Sequence, residues 1–224
     1  MGSRYRRGDK RVAREDYAIV LDYMPGGNPI DPHPPHRTRA IAQAIGDKYF
    51  TLIEFYPKPG VNLRQGERVC VSFRLRNLRD KVEFVWGEPI TYDELSGVAR
   101  SYLPEALRKI VIEKEKVFVT FFNIAAPLTI KLHSLELLPG IGKKTMWTIL
   151  EERKKRRFES FEDLKERGKI GDPVSIIVER LLSELRGEER YYLFIDPPPN
   201  ARHAVVIGYL QKIYSMIGYD DRES

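Results

Sequence analysis

The sequence predicts an α+β protein of two domains, a small N-terminal β-barrel followed by an all-α domain. Up to residue 90, apolar residues fall in short runs separated by Pro- and Gly-rich turns, a pattern typical of strands. From residue 91 onward, apolar residues recur every three to four positions, which is typical of helices. With 224 residues and 42% hydrophobic content, the chain is long enough for two small domains.

The first segment, residues 1–14, carries most of the excess positive charge. It holds six Lys and Arg residues against one acidic residue, while the formal net charge of the whole chain is +6. Such a segment has too few apolar residues to fold alone. We therefore expect a basic flexible arm, which either is solvated or lies along a polyanion.

Residues 15–90 contain five apolar runs that we expect to be strands. Five short strands in a segment of this length favour a small barrel of the oligonucleotide/oligosaccharide-binding (OB) type, with an SH3-like barrel or an open sheet as alternatives. The tripeptide Gly46-Asp47-Lys48 predicts a tight hairpin between the second and third runs. The runs are 17–24, 40–45, 49–56, 68–73 and 82–86.

The basic segment 74–81 is the candidate contact that this barrel offers to a nucleic acid. It carries Arg74, Arg76 and Arg79, which could contact phosphates. Aromatic residues of the strands, Phe84 among them, either fill the core or supply surfaces on which bases stack.

The all-α domain is placed at residues 91–195. We expect residues 92–114 to be mainly helical and residues 116–126 to continue as an apolar segment that packs under the hairpins.

A first hairpin at residues 138–142 is the most informative feature of the chain. A helix start leaves backbone N–H groups without intrahelical partners and carries a partial positive charge, so it suits a phosphate. Gly140 and Gly142 let a bulky anion approach the backbone, with Ile141 between them, and Lys143 and Lys144 add positive charge. The alternative is a purely structural corner between two helices. Apolar residues on both sides predict two packed helices: Leu132, Leu135 and Leu138 before the turn, and Met146, Ile149 and Leu150 after it.

A run of five basic residues lies at the end of the helix that follows this hairpin. Cations there are favoured by the helix dipole, so the run either caps the helix or extends the phosphate-binding surface. The five residues are Arg153, Lys154, Lys155, Arg156 and Arg157.

A second hairpin is predicted at residues 168–172. Ser160 is expected to cap a helix that begins near Phe161 and ends near Gly168. Pro173 suits the first turn of the next helix, which we expect over 174–185. A structural role is at least as well supported here as phosphate binding, because the leading Leu-Pro-Gly is missing.

Residues 196–224 are expected to form a Pro-rich spacer and a C-terminal helix over 205–217. Its predicted apolar side either docks on its own domain or binds a protein partner. That side consists of Val206, Leu210, Ile213, Tyr214 and Ile217.

Two resemblances add to these expectations. The Leu-Pro-Gly-Ile-Gly sequence at 138–142 resembles the helix-hairpin-helix family, and with the second hairpin it suggests a tandem arrangement. The chain as a whole resembles an archaeal family of unknown function that joins an OB-like barrel to a tandem helix-hairpin-helix domain. The segments that carry this resemblance are 42–46, 49–54, 121–125, 133–142 and 158–163. From the helix-hairpin-helix family comes the implication that the N–H groups of Gly140, Ile141 and Gly142 hold a phosphate, with a monovalent cation on nearby carbonyls such as that of Leu138.

The expected function is non-sequence-specific nucleic-acid binding through the phosphate backbone, with DNA favoured and structured or ribosomal RNA as the rival. The alternative is a protein-interaction adaptor in which the hairpins are structural. The sequence has no Walker loop, nucleophile elbow or dinucleotide fingerprint, so we predict no enzyme, no catalytic residues and no metal site. The lone Cys70 is expected in the core. Without a membrane span or secretory signal in the sequence, we expect a cytoplasmic protein.

Overall fold

A computed structural model of the protein describes residues 12–29 and 34–218. The chain divides into two compact units, 1–106 and 107–224, and the division falls inside a helix. The sequence predicted the boundary between the two domains after residue 90, where the spacing of apolar residues changes. Residues 1–11 of the predicted arm lie outside the described residues. Val12–Arg14 form a single 3₁₀ turn, and Val12 is fully buried.

The first unit is built on a five-stranded antiparallel sheet, and all five predicted strands are confirmed. The order of the strands is β4-β1-β2-β3-β5, and the sheet curls into a half-barrel with β4 and β5 at its edges. A barrel was expected from the sequence, and the observed sheet is its open counterpart. The strands are β1 (Tyr17–Met24), β2 (Ile41–Gly46), β3 (Leu52–Pro57), β4 (Arg68–Cys70) and β5 (Val82–Val85).

The core of this unit depends on the central strands. All residues of β2 and β3 are buried, which explains why these segments are largely apolar rather than alternating. Their polar residues, Gln43 and Glu54, are buried together, and the Gln43 amide donates to the Glu54 carboxylate at 2.9 Å. Small residues such as Ala42 and Ala44 lie beside larger ones such as Phe55 and Val69 in one cluster. Cys70 is buried, as predicted.

A buried carboxylate organises the turn between β2 and β3. Glu15 is fully buried, and it accepts hydrogen bonds from three backbone N–H groups of that turn. Burial raises the pKa of Glu15 to about 7 from its usual 4.5, although the hydrogen bonds oppose this. Phe50 in the same turn has a φ of 58°, which is unfavourable for an aromatic residue. The donors are Lys48, Tyr49 and Thr51, with N–O distances of 3.1, 3.1 and 3.0 Å.

The second unit is mainly helical. Helix α1 (Gly97–Glu113) runs across the division between the units and is followed by α2 (Glu115–Ile124). The other helices are α3 (Lys143–Lys155), α4 (Phe161–Gly168), α5 (Pro173–Arg186) and α6 (Tyr209–Ile217). Four short strands complete it: β6 (Pro127–Thr129) pairs with β7 (Leu132–His133), and β8 (Tyr191–Tyr192) pairs with β9 (Val205–Val206).

The predicted helix before the first hairpin is wrong. Leu132 lies in β7, and Leu135 lies in a four-residue 3₁₀ turn, Ser134–Leu137. In a 3₁₀ turn, residues three positions apart lie on the same side, so the three-residue spacing of these leucines fits such a turn as well as it fits an α-helix.

The predicted C-terminal helix is confirmed in part, because it begins at Tyr209 rather than at residue 205. Its buried face packs within its own unit: the Tyr209 ring meets Phe121 edge to face at 4.9 Å, and its hydroxyl accepts the N–H of Ala126 at 2.9 Å. The buried residues of this helix are Tyr209, Leu210, Ile213 and Tyr214, whereas Val206 is exposed in β9.

We predict that the Glu15 carboxyl makes the stability of the first unit depend on pH. Because the folded state holds this proton more tightly than the unfolded chain, the free energy of unfolding should fall as the pH rises from 4.5 through 7. The loss should approach about 1.4 kcal/mol per pH unit within that window. Urea unfolding in a Trp147→Phe background, where Trp86 is the remaining one of the two tryptophans, measures it.

Glu15→Gln should flatten this dependence, and the exposed Glu88→Gln should leave it unchanged. An unaltered slope in Glu15→Gln would contradict the assignment.

Candidate functional site

The first hairpin presents two open glycines on a buried anchor. Leu138 and Ile141 are 2% and 3% exposed, and the N–H of Ile141 donates to the carbonyl of Leu138 at 3.1 Å. Gly140 has a φ of +73°, a conformation that favours glycine. A Cβ atom at Gly140 or Gly142 would meet no atom within 4 Å. The backbone here is therefore accessible to a bulky group.

The 3₁₀ turn that leads into the hairpin is held by a capping box. His133 Nδ1 accepts the N–H of Leu135 at 3.1 Å, and Glu136 accepts the N–H of His133 at 2.9 Å. His133 is buried, and burial lowers its pKa, so the ring stays neutral and can accept this hydrogen bond.

The start of α3 has no side-chain cap. Gly142 is the N-cap residue, with φ −85° and ψ 178°, and it has no side chain to accept a hydrogen bond. The first intrahelical bond joins the N–H of Met146 to the carbonyl of Gly142 at 2.9 Å. The N–H groups of residues 143–145 precede it, as expected for a helix start. Lys143 and Lys144 are exposed beside them.

The start of α5, at the second hairpin, differs from the start of α3 because a carboxylate of the chain itself caps it. The predicted boundaries of α4 and α5 are confirmed, and so is the Ser160 cap, which accepts the N–H of Asp163 at 3.1 Å. The Asp172 carboxylate accepts the N–H of Val174 at 3.2 Å. The hydroxyl of Ser175, at 2.6 Å, is the first of several donors that hold the pKa of Asp172 below its usual value.

A buried ion pair on α5 fixes the first hairpin from behind. Arg180 and Glu184 are 2% and 0% exposed and are joined at 2.9 Å. The Arg180 guanidinium donates to the carbonyl of Leu137 at 2.9 Å and also to the carbonyl of Tyr191. The Glu184 carboxylate accepts the N–H groups of Leu193, Phe194 and Ile195 at 2.8, 3.1 and 3.0 Å.

The sequence interpretation missed this pair. The signal was an Arg and a Glu four residues apart on a helix whose neighbouring positions are apolar. Two charges in an apolar helix face indicate a buried ion pair.

The basic run after α3 does not form one uniform surface. Arg153 is turned inward and donates to the carbonyls of Phe122 and Ala125 at 3.0 and 2.8 Å, which caps the end of α2. Burial lowers its pKa. These contacts give Arg153 a structural role at the end of α2, and its predicted phosphate contact stays a prediction.

The rest of the run is exposed, and three of its residues pair with acids on the surface. Lys154 contacts Glu151 at 2.8 Å, Lys155 contacts Glu152 at 2.6 Å, and Arg156 contacts Asp163 at 3.1 Å. Exposed pairs of this kind contribute about 0–1 kcal/mol, so these cations remain exchangeable. Arg157 is exposed too.

Of the candidate arginines in the first unit, Arg79 has a structural role, and its predicted phosphate contact stays a prediction. It is 8% exposed and donates to the carbonyls of Ser72 and Val71, both at 2.7 Å. Burial lowers its pKa. Arg74 pairs with Asp16 at 2.8 Å, and Arg76 is exposed.

The side chains of residues 12–29 and 34–218 offer no obvious metal centre. Over those residues, no group of three or more His, Cys, Asp or Glu side chains could hold a metal ion. None of the helices there is both long enough and apolar enough to cross a membrane.

The half-barrel sheet and the helical unit define an α+β protein. A family model described as "Protein of unknown function (DUF655)" matches residues 14–196, and the chain belongs to this family. The family resemblance inferred from the sequence is thereby confirmed, while its OB and tandem helix-hairpin-helix architecture stays a prediction.

The relatives are archaeal. The uncharacterized protein MJ0038 of Methanocaldococcus jannaschii is 43% identical over 195 residues, which cover 86% of this chain and 85% of that protein. The crystal structure of Af1531 from Archaeoglobus fulgidus matches with a TM-score of 0.72 and 42% identity. That match covers 81% of this chain and all of the other.

We predict that Arg180→Met destabilises the second unit by about 3–5 kcal/mol, because it leaves the buried Glu184 without its counter-charge. Lys154→Met, which removes an exposed pair, should change stability by less than about 1 kcal/mol. Chemical unfolding followed by Trp147 fluorescence in a Trp86→Phe background compares the two. Equal losses would show that the buried pair does not anchor the hairpin.

Proposed function

We propose that this protein binds nucleic acid without sequence specificity, through phosphate contacts at the first hairpin and the start of α3. The observation that carries the proposal is the uncapped, glycine-lined start of α3, with exposed Lys143 and Lys144 in its first turn. Cations at a helix start oppose the helix dipole, so their placement favours an external anion.

The contrast between the two hairpins supports the same conclusion. Asp172 supplies an internal carboxylate to the start of α5, whereas Gly142 supplies none to the start of α3. A phosphate at α3 would take the place that the carboxylate has at α5. The second hairpin is then structural.

The contacts available at the first hairpin are main-chain N–H groups and lysine ammonium groups. These recognise phosphate oxygens and have no complement to base edges, so the proposed binding does not read sequence. Lys154, Lys155, Arg156 and Arg157 follow at the far end of α3, about 18 Å along the helix at 1.5 Å per residue. A polyanion can therefore contact both ends of one helix.

Double-stranded DNA is the favoured ligand, and structured RNA is the rival within the same class. A monovalent cation at the hairpin is part of the proposal. The carbonyl of Leu138 accepts one N–H, which leaves a second lone pair for an ion.

The adaptor alternative relied on an available apolar face of the C-terminal helix. Because Tyr209, Leu210 and Ile213 are buried within the second unit, the observations favour nucleic-acid binding over the adaptor. We propose a binding protein rather than an enzyme.

We predict that Gly142→Glu weakens binding to a fluorescent DNA duplex at least about tenfold, because a carboxylate would stand where the phosphate binds. The matched control is Gly171→Glu in the second hairpin. Both glycines are exposed with open space around them, and both substitutions add one negative charge. Fluorescence anisotropy over a salt series, with duplex DNA and structured RNA, measures the affinities.

Lys143→Ala and Lys144→Ala should each lower the slope of log affinity against log salt by about 0.9. The proposal fails if the folded protein binds neither nucleic acid, or if the two glycine variants lose affinity equally. Equal losses would indicate a response to net charge alone.

A further inference from the structure

A groove in the first unit is lined by apolar, aromatic and charged side chains. Its volume is about 310 Å³, at the lower end of the range for ligand sites. It lies over β5 and beside the 3₁₀ turn Arg76–Leu78, and the buried Val82 and Val85 belong to its lining. The other side chains that line it are Lys58, Phe73, Arg76, Arg79, Glu83 and Phe84.

A bulge in β5 exposes the aromatic residue of the groove. Tyr56 pairs with Phe84 and Pro57 pairs with Val82, so the register shifts at Glu83. Two consecutive residues, Glu83 and Phe84, are therefore exposed, although strand residues normally alternate between faces. Phe84 is 43% exposed, and its ring meets Trp86 edge to face at 5.4 Å.

The charges around the groove are mainly positive. Arg76 and Lys58 are exposed, and Lys58 uses one of its three donors on the carbonyl of Arg79. The charge of Arg76 acts on the buried Arg79, whose pKa is lowered first by burial and then by this neighbour. The negative charge of Glu83 is paired with the Arg39 guanidinium, at an N–O distance of 2.7 Å. An anion would relieve the repulsion between the two arginines.

We propose that this groove binds one unpaired nucleotide of a nucleic acid, with the base stacked on Phe84 and the phosphate held by Arg76 and Lys58. An exposed aromatic ring beside cations is the combination that binds single strands, because every base has a face on which to stack. In a continuous duplex those faces are covered by neighbouring base pairs. The groove therefore selects strands with unpaired bases.

This inference deepens the proposed function and rests on it, because it takes the ligand to be a nucleic acid. The groove is made of residues of the first unit, whereas the first hairpin belongs to the second. The two can fail separately. The hairpin is tested by Gly142→Glu with a duplex, and the groove is tested by variants of β5 and the 3₁₀ turn with an unpaired oligonucleotide.

The experiment uses the full chain with Trp147→Phe, so that Trp86 reports on the ring of Phe84 beside it. A short oligothymidylate and a blunt duplex are titrated separately. The oligothymidylate should change Trp86 emission, and Phe84→Ala should weaken its binding roughly tenfold. Phe84→Leu should weaken it similarly, because leucine keeps the apolar volume but has no aromatic face.

Arg76→Glu should weaken oligothymidylate binding as well. Val98→Ala, another exposed apolar residue, and Arg64→Glu, another exposed arginine of this unit, are the matched controls outside the groove and should have little effect.

Two outcomes overturn nucleotide binding in the groove, and a third overturns its selectivity. One is oligothymidylate binding that is absent or indifferent to Phe84 and Arg76, and the other is full binding by Phe84→Leu, which would indicate packing rather than stacking. A duplex that changes Trp86 emission as strongly as the oligothymidylate would also overturn the selectivity for unpaired bases. If Gly142→Glu leaves duplex binding intact while the groove variants lose the oligothymidylate, the hairpin function fails and the groove stands.

Discussion

The ion pair between Arg180 and Glu184 is the interaction on which the second unit depends most. It joins three segments that are distant in sequence: the turn ending at Leu137, helix α5, and the extended stretch 191–195. Burying two charges carries a large desolvation penalty, which is offset only when their hydrogen-bonding groups are satisfied. Here the guanidinium reaches two carbonyls and the carboxylate reaches three N–H groups. The pair therefore acts chiefly as a positioning device for the backbone that leads into the first hairpin.

Charged side chains elsewhere in this unit serve the ends of helices. Arg153 caps α2, Asp172 caps α5, and Arg167 donates to the carbonyls of Glu152 and Arg156 at the end of α3. Each satisfies backbone groups that a helix end leaves without partners. The start of α3 combines a glycine N-cap, which the start of α6 also has at Gly208, with two lysines in its first turn. Positive charge is denser at the far end of α3, but three of the basic residues there already pair with acids on the surface.

The sequence predicted the strands well because short apolar runs between Gly- and Pro-rich turns have few other interpretations. It also predicted α4 and α5, where Ser160 and Pro173 are strong start signals. It failed for Leu132 and Leu135, because a strand followed by a 3₁₀ turn gives the same spacing as one helical turn. The sequence also did not reveal that Arg79 and Arg153 donate to backbone carbonyls. An arginine that binds buried carbonyls has the same sequence signature as one that faces solvent, and only the three-dimensional position of its partners separates the two.

The two proposed contacts differ in what they can recognise. In the proposed contact at the hairpin, main-chain N–H groups and lysines recognise phosphate oxygens, which every nucleic acid carries. An exposed ring such as Phe84 adds a condition, because it requires a base whose face is not already stacked. Selectivity between nucleic acids would then come from strandedness rather than from sequence, and neither contact needs a side chain that reads a base edge. Contacts of these two kinds suit ligands that combine a regular backbone with unpaired positions, which is a property of structured RNA and of DNA with exposed single strands.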